Sequence, residues 1–447
     1  MTKAQRNILV VAILAAFVPF LDGSVVNVAL PAMARELGGG LALQQWVVDA
    51  YLLALGSLIL VAGSLSDMFG RVRILVAGLW LFGLASVVCA LAPDGTWLVL
   101  ARVVQGAGGA LVVPSSLALI IDNFRGAEQG RAIGSWTAWT GMSFIVGPLV
   151  GGILVDGASW RLIFAINVLP IALTLLLARQ LPRGQRRPAR IDVPGAVLCA
   201  AGLGTLVYAL IEQGRLGWQS PLVWGGSLLG VGLLAAFVAY ERWTVAPMLP
   251  LELFCRRNFW VGNLATVAVY AGLSVAGFLV VIFLQQVGKF SALWAGAAMM
   301  PVTLIMFGLS KRIGQWSGRV GPRWFMAAGP MLAAAGFVMM TAVGQPVNYW
   351  ASIFPGIVTF GLGLALTVSP LTSAVLGAVV PERAGIASAV NNAVARIAGL
   401  LAVAAVGLLT GPQLANVAGF RLGLWVTAAL LAAGGLISAV GIENPKE

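Results

Sequence analysis

Gly63-Ser64-Leu65-Ser66-Asp67-Met68-Phe69-Gly70-Arg71-Val72-Arg73 is a short charged turn between two long apolar runs. Far downstream, Gly314-Gln315-Trp316-Ser317-Gly318-Arg319-Val320-Gly321-Pro322-Arg323 repeats its frame: a serine three residues after the first glycine, and a second glycine four residues beyond that serine. A single basic loop between two spans would need no explanation, but two copies predict an internally duplicated chain. In the second copy Asp67 has become Gly318, so the acidic half of the turn occurs once.

Each residue type in the turn has a use. Glycine tolerates positive φ and lets helix backbones meet closely. Arginine holds a loop on the cytoplasmic side of a membrane. Asp67 is expected to pair with Arg71 or to face the N-terminus of a neighbouring helix, where negative charge is favoured. Gly63, Asp67, Gly70, Arg71, Arg73, Gly314 and Gly321 are the candidate hinge residues.

Composition sets the medium. The 447 residues are 60% hydrophobic and 9% charged, with a mean hydropathy of +0.96. That balance predicts a polytopic membrane protein and excludes a soluble fold. A net charge of +12 raises nucleic acid as a partner. However, the basic residues are scattered through short loops between apolar runs, which is topology and not a binding patch. Cys89, Cys199 and Cys255 have no metal-ligand or disulfide spacing, so no metal is expected. The first apolar run is too long for a removable signal and lacks a cleavage site, so it is expected to be retained.

Runs long enough to span a bilayer fall near residues 8–30, 43–66, 73–92, 97–121, 131–154 and 161–179. A polar, arginine-rich stretch from Arg179 to Arg190 separates them from a pair near 193–213 and 222–241, and six more follow near 258–284, 291–311, 323–343, 348–376, 385–409 and 420–442. The fold class expected is therefore all-α, with about fourteen membrane helices: an N-terminal six-helix half (1–190), an inserted pair and linker (191–257), and a C-terminal six-helix half (258–447). Glu128-Gln-Gly-Arg131-Ala and Pro381-Glu382-Arg383-Ala-Gly385, each opening the fifth span of its half, supply a second echo of the duplication. Placing the N-terminus inside puts Arg71, Arg73, Arg125, Arg131, Arg256, Arg257, Arg319 and Arg323 on the inner side, and leaves Arg35, Arg161, Arg215, Lys289 and Arg421 outside. The asymmetry predicts both termini in the cytoplasm and a multi-pass protein of the cell membrane.

Ionisable residues inside spans are costly and usually mark a pathway. Counting 1.5 Å per residue, Asp22 lies about 12 Å, Asp49 about 9 Å and Arg102 about 8 Å from the outer ends of their spans. At one shared depth, desolvation favours the neutral form of a carboxylate and a nearby arginine the charged form, so small rearrangements can move a proton. A permanent ion pair stapling helices is the structural alternative.

The turn resembles the loop signature of the major facilitator superfamily, carried between the second and third helices of each six-helix half. Leu21-Asp22 to Pro31 looks like the first-helix signature of its fourteen-span drug:proton antiporters, and Arg102-Val-Val-Gln105-Gly106-Ala-Gly108 looks like the fourth-helix motif. In that motif the arginine assists proton transfer. Gly141-Met-Ser-Phe-Ile-Val-Gly147-Pro148-Leu-Val-Gly151-Gly152 is similar to the fifth-helix antiporter motif. There Gly141, Gly147, Gly151 and Gly152 would allow close packing and Pro148 a bend. The resemblance implies alternating access by two rocking halves.

Trp46, Trp97, Trp160, Trp218 and Trp350 fall at outer span ends, where tryptophan anchors are routine. Tyr51, Trp136 and Trp139 could offer aromatic faces to a lipophilic or cationic drug, or simply face lipid. Arg396, in Asn391-Asn392-Ala-Val-Ala-Arg396, sits at the middle of its span with no membrane carboxylate in its own half. Its candidate partners are Asp22, Asp49, backbone carbonyls or an anionic group on a substrate. Asn391 and Arg396 join Asp49, Tyr51, Trp136 and Trp139 as cavity candidates.

With no histidine, no Gly-x-x-x-x-Gly-Lys-Ser/Thr loop and no cysteine cluster, histidine catalysis, a P-loop pump and a thiolate metal site lack their residues. The expectation is a proton-coupled exporter of lipophilic, cationic or neutral drugs and not an enzyme. Its partners would be a small-molecule substrate and membrane lipid, without nucleic acid. It would work as a monomer, with the proton as coupling ion and no cofactor. The alternative is an exporter of lipid or of an anionic metabolite on the same fold.

Overall fold

The computed structural model describes residues 1–181, 191–245, 247–380, 383–410 and 416–444. Arg183, Arg186, Arg187 and Arg190 of the arginine-rich stretch and Pro381 and Glu382 of the second echo lie outside them, as does Lys446.

The helices begin and end where local chemistry requires. Thr2 caps α1 (Lys3–Leu37): Gln5 N donates to Thr2 Oγ1 at 3.2 Å and Thr2 N to Gln5 Oε1 at 2.8 Å. This reciprocal box satisfies two otherwise orphaned donors. α2 (Gly40–Phe69) and α3 (Arg71–Ala90) meet at Gly70. Asp94 Oδ1 caps α4 (Gly95–Asn123) by accepting from Trp97 N at 3.0 Å, and α5 (Gly126–Gly157) follows. The sixth crossing is broken into α6 (Leu162–Ala165) and α7 (Val168–Ala178), because Pro170 has no N–H for the carbonyl four residues earlier. The inserted pair is α8 (Val193–Leu216) and α9 (Pro221–Glu241). After a 3₁₀ turn at Leu251–Cys255 come α10 (Arg257–Gln286), α11 (Ala292–Ala297), α12 (Met300–Val320) and α13 (Arg323–Met340). A π turn at Tyr349–Ile353 leads into α14 (Phe354–Gly377), followed by α15 (Ala384–Thr410) and α16 (Val417–Gly441). Among the described residues thirteen helical segments are long and apolar enough to cross a membrane, and Leu162–Ala178 is a shorter fourteenth. The all-α, fourteen-helix reading holds.

The chain forms two compact units. The first comprises Met1–Leu206, Ser227–Met248 and Ser291–Leu293, and the second comprises Val207–Gly226, Leu249–Phe290 and Trp294–Glu447. The inserted pair is thus divided by its packing: residues 193–206 and 227–241 lie with the first unit. In the first unit α3 packs on α4, α2 on α4 and α1 on α5; in the second α13 packs on α14, α12 on α14 and α10 on α15. The same three pairings recur, as an internal duplication requires. Fully buried Val11, Ala15, Leu75, Phe82 and Ile120 fill the first core. In the second, Phe283 and Phe420 stack at 3.7 Å between ring centroids, and Phe337 meets Phe360 edge-on at 4.8 Å.

One tryptophan departs from the anchoring pattern. Trp97, Trp218 and Trp350 are at least half exposed, but Trp160 is buried, with Nε1 donating to Glu36 Oε2 at 2.6 Å. Arg161 pairs with the same carboxylate, lies over the Trp160 ring and donates to the Ala92 carbonyl at 3.1 Å. Trp160 therefore ties the ends of two crossings together instead of floating at the lipid surface.

Candidate functional site

Four crossings of the first unit bring polar side chains together around Asp22 on α1, which has no exposed surface. Arg102 on α4 pairs with Asp22 Oδ2 through Nη1. Asp22 Oδ1 accepts from Gln105 Nε2 and from Asn167 Nδ2, both at 2.9 Å. The carboxylate is thus surrounded by donors. Arg102 is held independently of it: Nε donates to the Val47 carbonyl at 2.9 Å, Nη1 to Gln105 Oε1 at 2.6 Å, and the guanidinium lies 4.3 Å above the Tyr51 ring. Phe164 on α6 stands 5.7 Å away on the same cation. Behind Gln105, Ser86 Oγ on α3 accepts from Gln105 Nε2 at 2.9 Å.

The local sequence explains this convergence. Gly106 lets α4 approach the Tyr51 backbone so closely that a Cβ there would collide with the Tyr51 carbonyl oxygen. Gly147 lets α5 approach Ser24, whose hydroxyl donates to the carbonyls of Leu21 and Ser143 at 2.9 Å each. Small residues at helix contacts permit this approach, and the charged pair it encloses is kept from water and lipid.

Asp49 on α2 is also fully buried, and neither carboxylate oxygen has a hydrogen bond among the described residues. The sequence placed it at the depth of Asp22, but the carboxylate bonded to Arg102 is Asp22. Tyr51, a candidate to face either a drug or lipid, is 3% exposed: its hydroxyl donates to the Pro19 carbonyl at 3.2 Å and its ring is covered by Arg102. It serves the arginine. Trp136 is half-buried, its Nε1 donating to Ser116 Oγ at 3.2 Å and its ring edge-on to Phe20, while Trp139 is exposed. In the second unit Asn391 donates to Asn263 Oδ1 at 3.1 Å and to Thr266 Oγ1 at 2.8 Å, binding α15 to α10. Arg396 is half-buried on α15.

The candidate hinge glycines divide into two kinds. Gly70 and Gly321 adopt φ of 98° and 96°. Gly314 lies against Ser369, while a Cβ at Gly63 would meet nothing within 4 Å, so Gly63 brings no backbones together. Arg71 pairs with Asp67 at 3.3 Å, as expected, and also with Asp122 on α4 at 2.8 Å while donating to the Ala118 carbonyl. Arg73 is exposed beside it. In the antiporter-like motif, Gly147, Gly151 and Gly152 are tight contacts and Pro148 lies inside α5. Gly141 has nothing within 4 Å, so the packing role expected of it is not present.

Asn167, Ser86 and Asp122 were not among the residues singled out in the sequence. The signal for Asn167 was available: it is the asparagine of Phe164-Ala165-Ile166-Asn167-Val168-Leu169-Pro170, a polar side chain within an apolar run and just before a proline.

Two units that repeat the same helix pairings, and a buried charge pair on the first and fourth crossings, are features of a membrane transporter. Residues 12–403 match the family model of the Major Facilitator Superfamily, and the chain belongs to that family. It is 37% identical over 407 residues to the puromycin resistance protein pur8 of Streptomyces alboniger, covering 89% of this chain and 80% of that one. It is 34% identical over 414 residues to the multidrug resistance protein Stp of Mycobacterium tuberculosis, covering 91% and 76%. The fold is similar to that of a D-xylose-proton symporter, with a TM-score of 0.71 at 15% identity over 99% of both chains. The protein is a multi-pass membrane transporter related to antibiotic and multidrug resistance proteins, not an enzyme.

Proposed function

We propose that this transporter exports lipophilic, cationic or neutral drugs from the cytoplasm across the cell membrane in exchange for protons, with both termini cytoplasmic. The observation that carries the proposal is the buried Asp22–Arg102 pair. Arg102 keeps the Val47 carbonyl, the Gln105 side chain and the Tyr51 ring whether or not Asp22 is charged. Neutralising Asp22 therefore leaves no bare cation, which lowers the cost of moving a proton on or off this carboxylate. Resistance proteins among the relatives support drugs as cargo.

Asp49 is the second participant. A carboxylate stranded without donors is costly when ionised, and either a proton or a cationic substrate relieves that cost. With Asp22 and Asp49 as the acids deep in the spans, at most two protons move per cycle. Trp136 and Trp139 supply aromatic surface, Gly147 to Gly152 the close helix contacts, and the turns around Gly70 and Gly321 the hinges. The protein works as a monomer in lipid without a cofactor. Arg396, a half-buried cation on α15, favours a second reading in which an anionic metabolite or lipid is the cargo.

Proteoliposomes with an imposed pH gradient test the proposal. The wild-type protein is expected to drive uphill accumulation of a lipophilic cation, and Asp22→Asn, correctly inserted, to lose it. Full pH-driven transport by Asp22→Asn defeats the coupling role. Transport of anionic compounds alone selects the second reading.

A further inference from the structure

We infer that Asn167 is the acceptor that allows Asp22 to take up a proton, by turning its side-chain amide over as Asp22 changes charge. This inference rests on the reading of Asp22 as the proton carrier.

The three side chains bonded to the Asp22 carboxylate, Arg102, Gln105 and Asn167, all donate to it. A protonated carboxyl carries an O–H that must itself find an acceptor, so one of the three has to change. Arg102 has no acceptor atom. Gln105 has one, but its Oε1 already accepts from Arg102 Nη1 at 2.6 Å and from the Cys89 thiol at 3.7 Å. Asn167 is what remains. Its Oδ1 is buried with no hydrogen-bond partner among the described residues, on an amide whose Nδ2 donates to Asp22 Oδ1 at 2.9 Å and, at 3.5 Å, to Ser86 Oγ, a hydroxyl that can turn to donate. Rotation about the Cβ–Cγ bond would exchange NH₂ for C=O at Asp22, giving the new O–H an acceptor and the idle oxygen a donor. An orphaned buried acceptor in a folded protein calls for an explanation, and this is one.

The position suits such a movement. Asn167 lies in the break between α6 and α7, outside regular helix, with its own backbone N bonded to the Phe164 carbonyl at 3.2 Å. Among the described residues Arg102 is the charged group paired with the carboxylate. Arg102 is the cation from α4 and Cys89 the titratable group from α3. α2 brings Tyr51 against Arg102 and carries the buried Asp49; α5 meets α1 here through the neutral Ser24–Ser143 contact. The step breaks one O–H bond of a hydronium ion, leaving water, and forms one at the Asp22 carboxylate, with no change of oxidation state.

Infrared difference spectra between high and low pH, recorded on the protein in liposomes, test the inference. A protonated carboxyl band that disappears in Asp22→Asn assigns the proton. If the band survives Asp22→Asn, the proton-carrier reading fails first and this inference with it. Selective ¹³C labelling of asparagine then reads the amide itself, since deleting Asn167 would take a donor from the carboxylate together with the acceptor from the acid. As the carboxyl band appears, an asparagine C=O band must move to lower wavenumber, as a carbonyl that gains a donor does, and Asn167→Gln must remove that band from the labelled set. A labelled spectrum without such a shift, or one that Asn167→Gln leaves in place, overturns the inference.

Discussion

Gly70 and Gly321 hold the same backbone in the two halves of the chain: each has φ near +97°, and each donates its N–H to a serine carbonyl four residues earlier, Ser66 at 3.0 Å and Ser317 at 2.8 Å. At φ near +97° a Cβ is strained, which is why both positions are glycine. Gly70→Ala is expected to destabilise the protein by about 1–2 kcal/mol. Gly321→Ala should cost more, because its Cβ would also collide with the side chain of Asn444, whose Oδ1 accepts from Arg323 N at 3.1 Å. Thermal unfolding in detergent checks the order, and Asn444→Ala should recover part of the Gly321→Ala loss but none of the Gly70→Ala loss.

Arg71 divides its charge unequally between two acids. Asp122 is closer than Asp67, 2.8 against 3.3 Å, and less exposed, 32% against 44%. Screening by solvent weakens the more exposed pair. Asp122→Asn should therefore slow transport and lower stability more than Asp67→Asn does, although the sequence motif points to Asp67. Equal effects, measured by initial transport rates in vesicles, would mean that the shorter contact has no greater weight.

Which parts of this were readable in the sequence follows from what a membrane enforces. Spans are legible because hydrocarbon demands some twenty apolar residues and hides no polar backbone. That Arg102 would lie near a deep carboxylate was legible because charges at one depth tend to find each other; that the partner is Asp22 and not Asp49 was not, since helical rise gives depth but not the direction a side chain faces. Asn167 escaped because charge accounting passes over a neutral amide, and its partners are 81 and 145 residues away along the chain. The surroundings of Tyr51 were hidden for a different reason. Helical spacing gives its depth but not which neighbour covers its ring, and that neighbour is Arg102. Gly141 shares the spacing of a packing motif, yet its side of α5 meets no atom.

That last difference can be measured. Gly141→Ala adds a methyl group to open space and improves helix propensity, so stability should stay level or rise by up to about 1 kcal/mol. Gly147→Ala would drive a Cβ into Ser24 Oγ and disturb its two hydrogen bonds beside Asp22. Overpacking of this kind costs about 1–3 kcal/mol. Melting temperatures of the two variants should move apart, with transport lost only in Gly147→Ala.

The charge pair makes the strongest quantitative demand. Removing one member of a buried pair costs about 3–5 kcal/mol, because the other is left uncompensated. Here the two losses should be unequal. Asp22→Asn leaves Arg102 with the Val47 carbonyl, Gln105 Oε1 and the Tyr51 ring, whereas Arg102→Ala leaves the carboxylate with two neutral amide donors and a cavity where the guanidinium lay. Arg102→Ala should therefore lower the melting temperature more than Asp22→Asn does. Arg102→Lys should rescue little of that loss, since a lysine ammonium cannot reproduce the planar contacts to Val47 and Tyr51. In the double variant Asp22→Asn with Arg102→Ala no charge is stranded, so its cost should be smaller than the sum of the single losses by at least about 1 kcal/mol. Melting curves of the four proteins in one detergent provide the cycle. Strict additivity would show that the two side chains do not depend on each other for stability, and the pair would lose its place as the centre of the site.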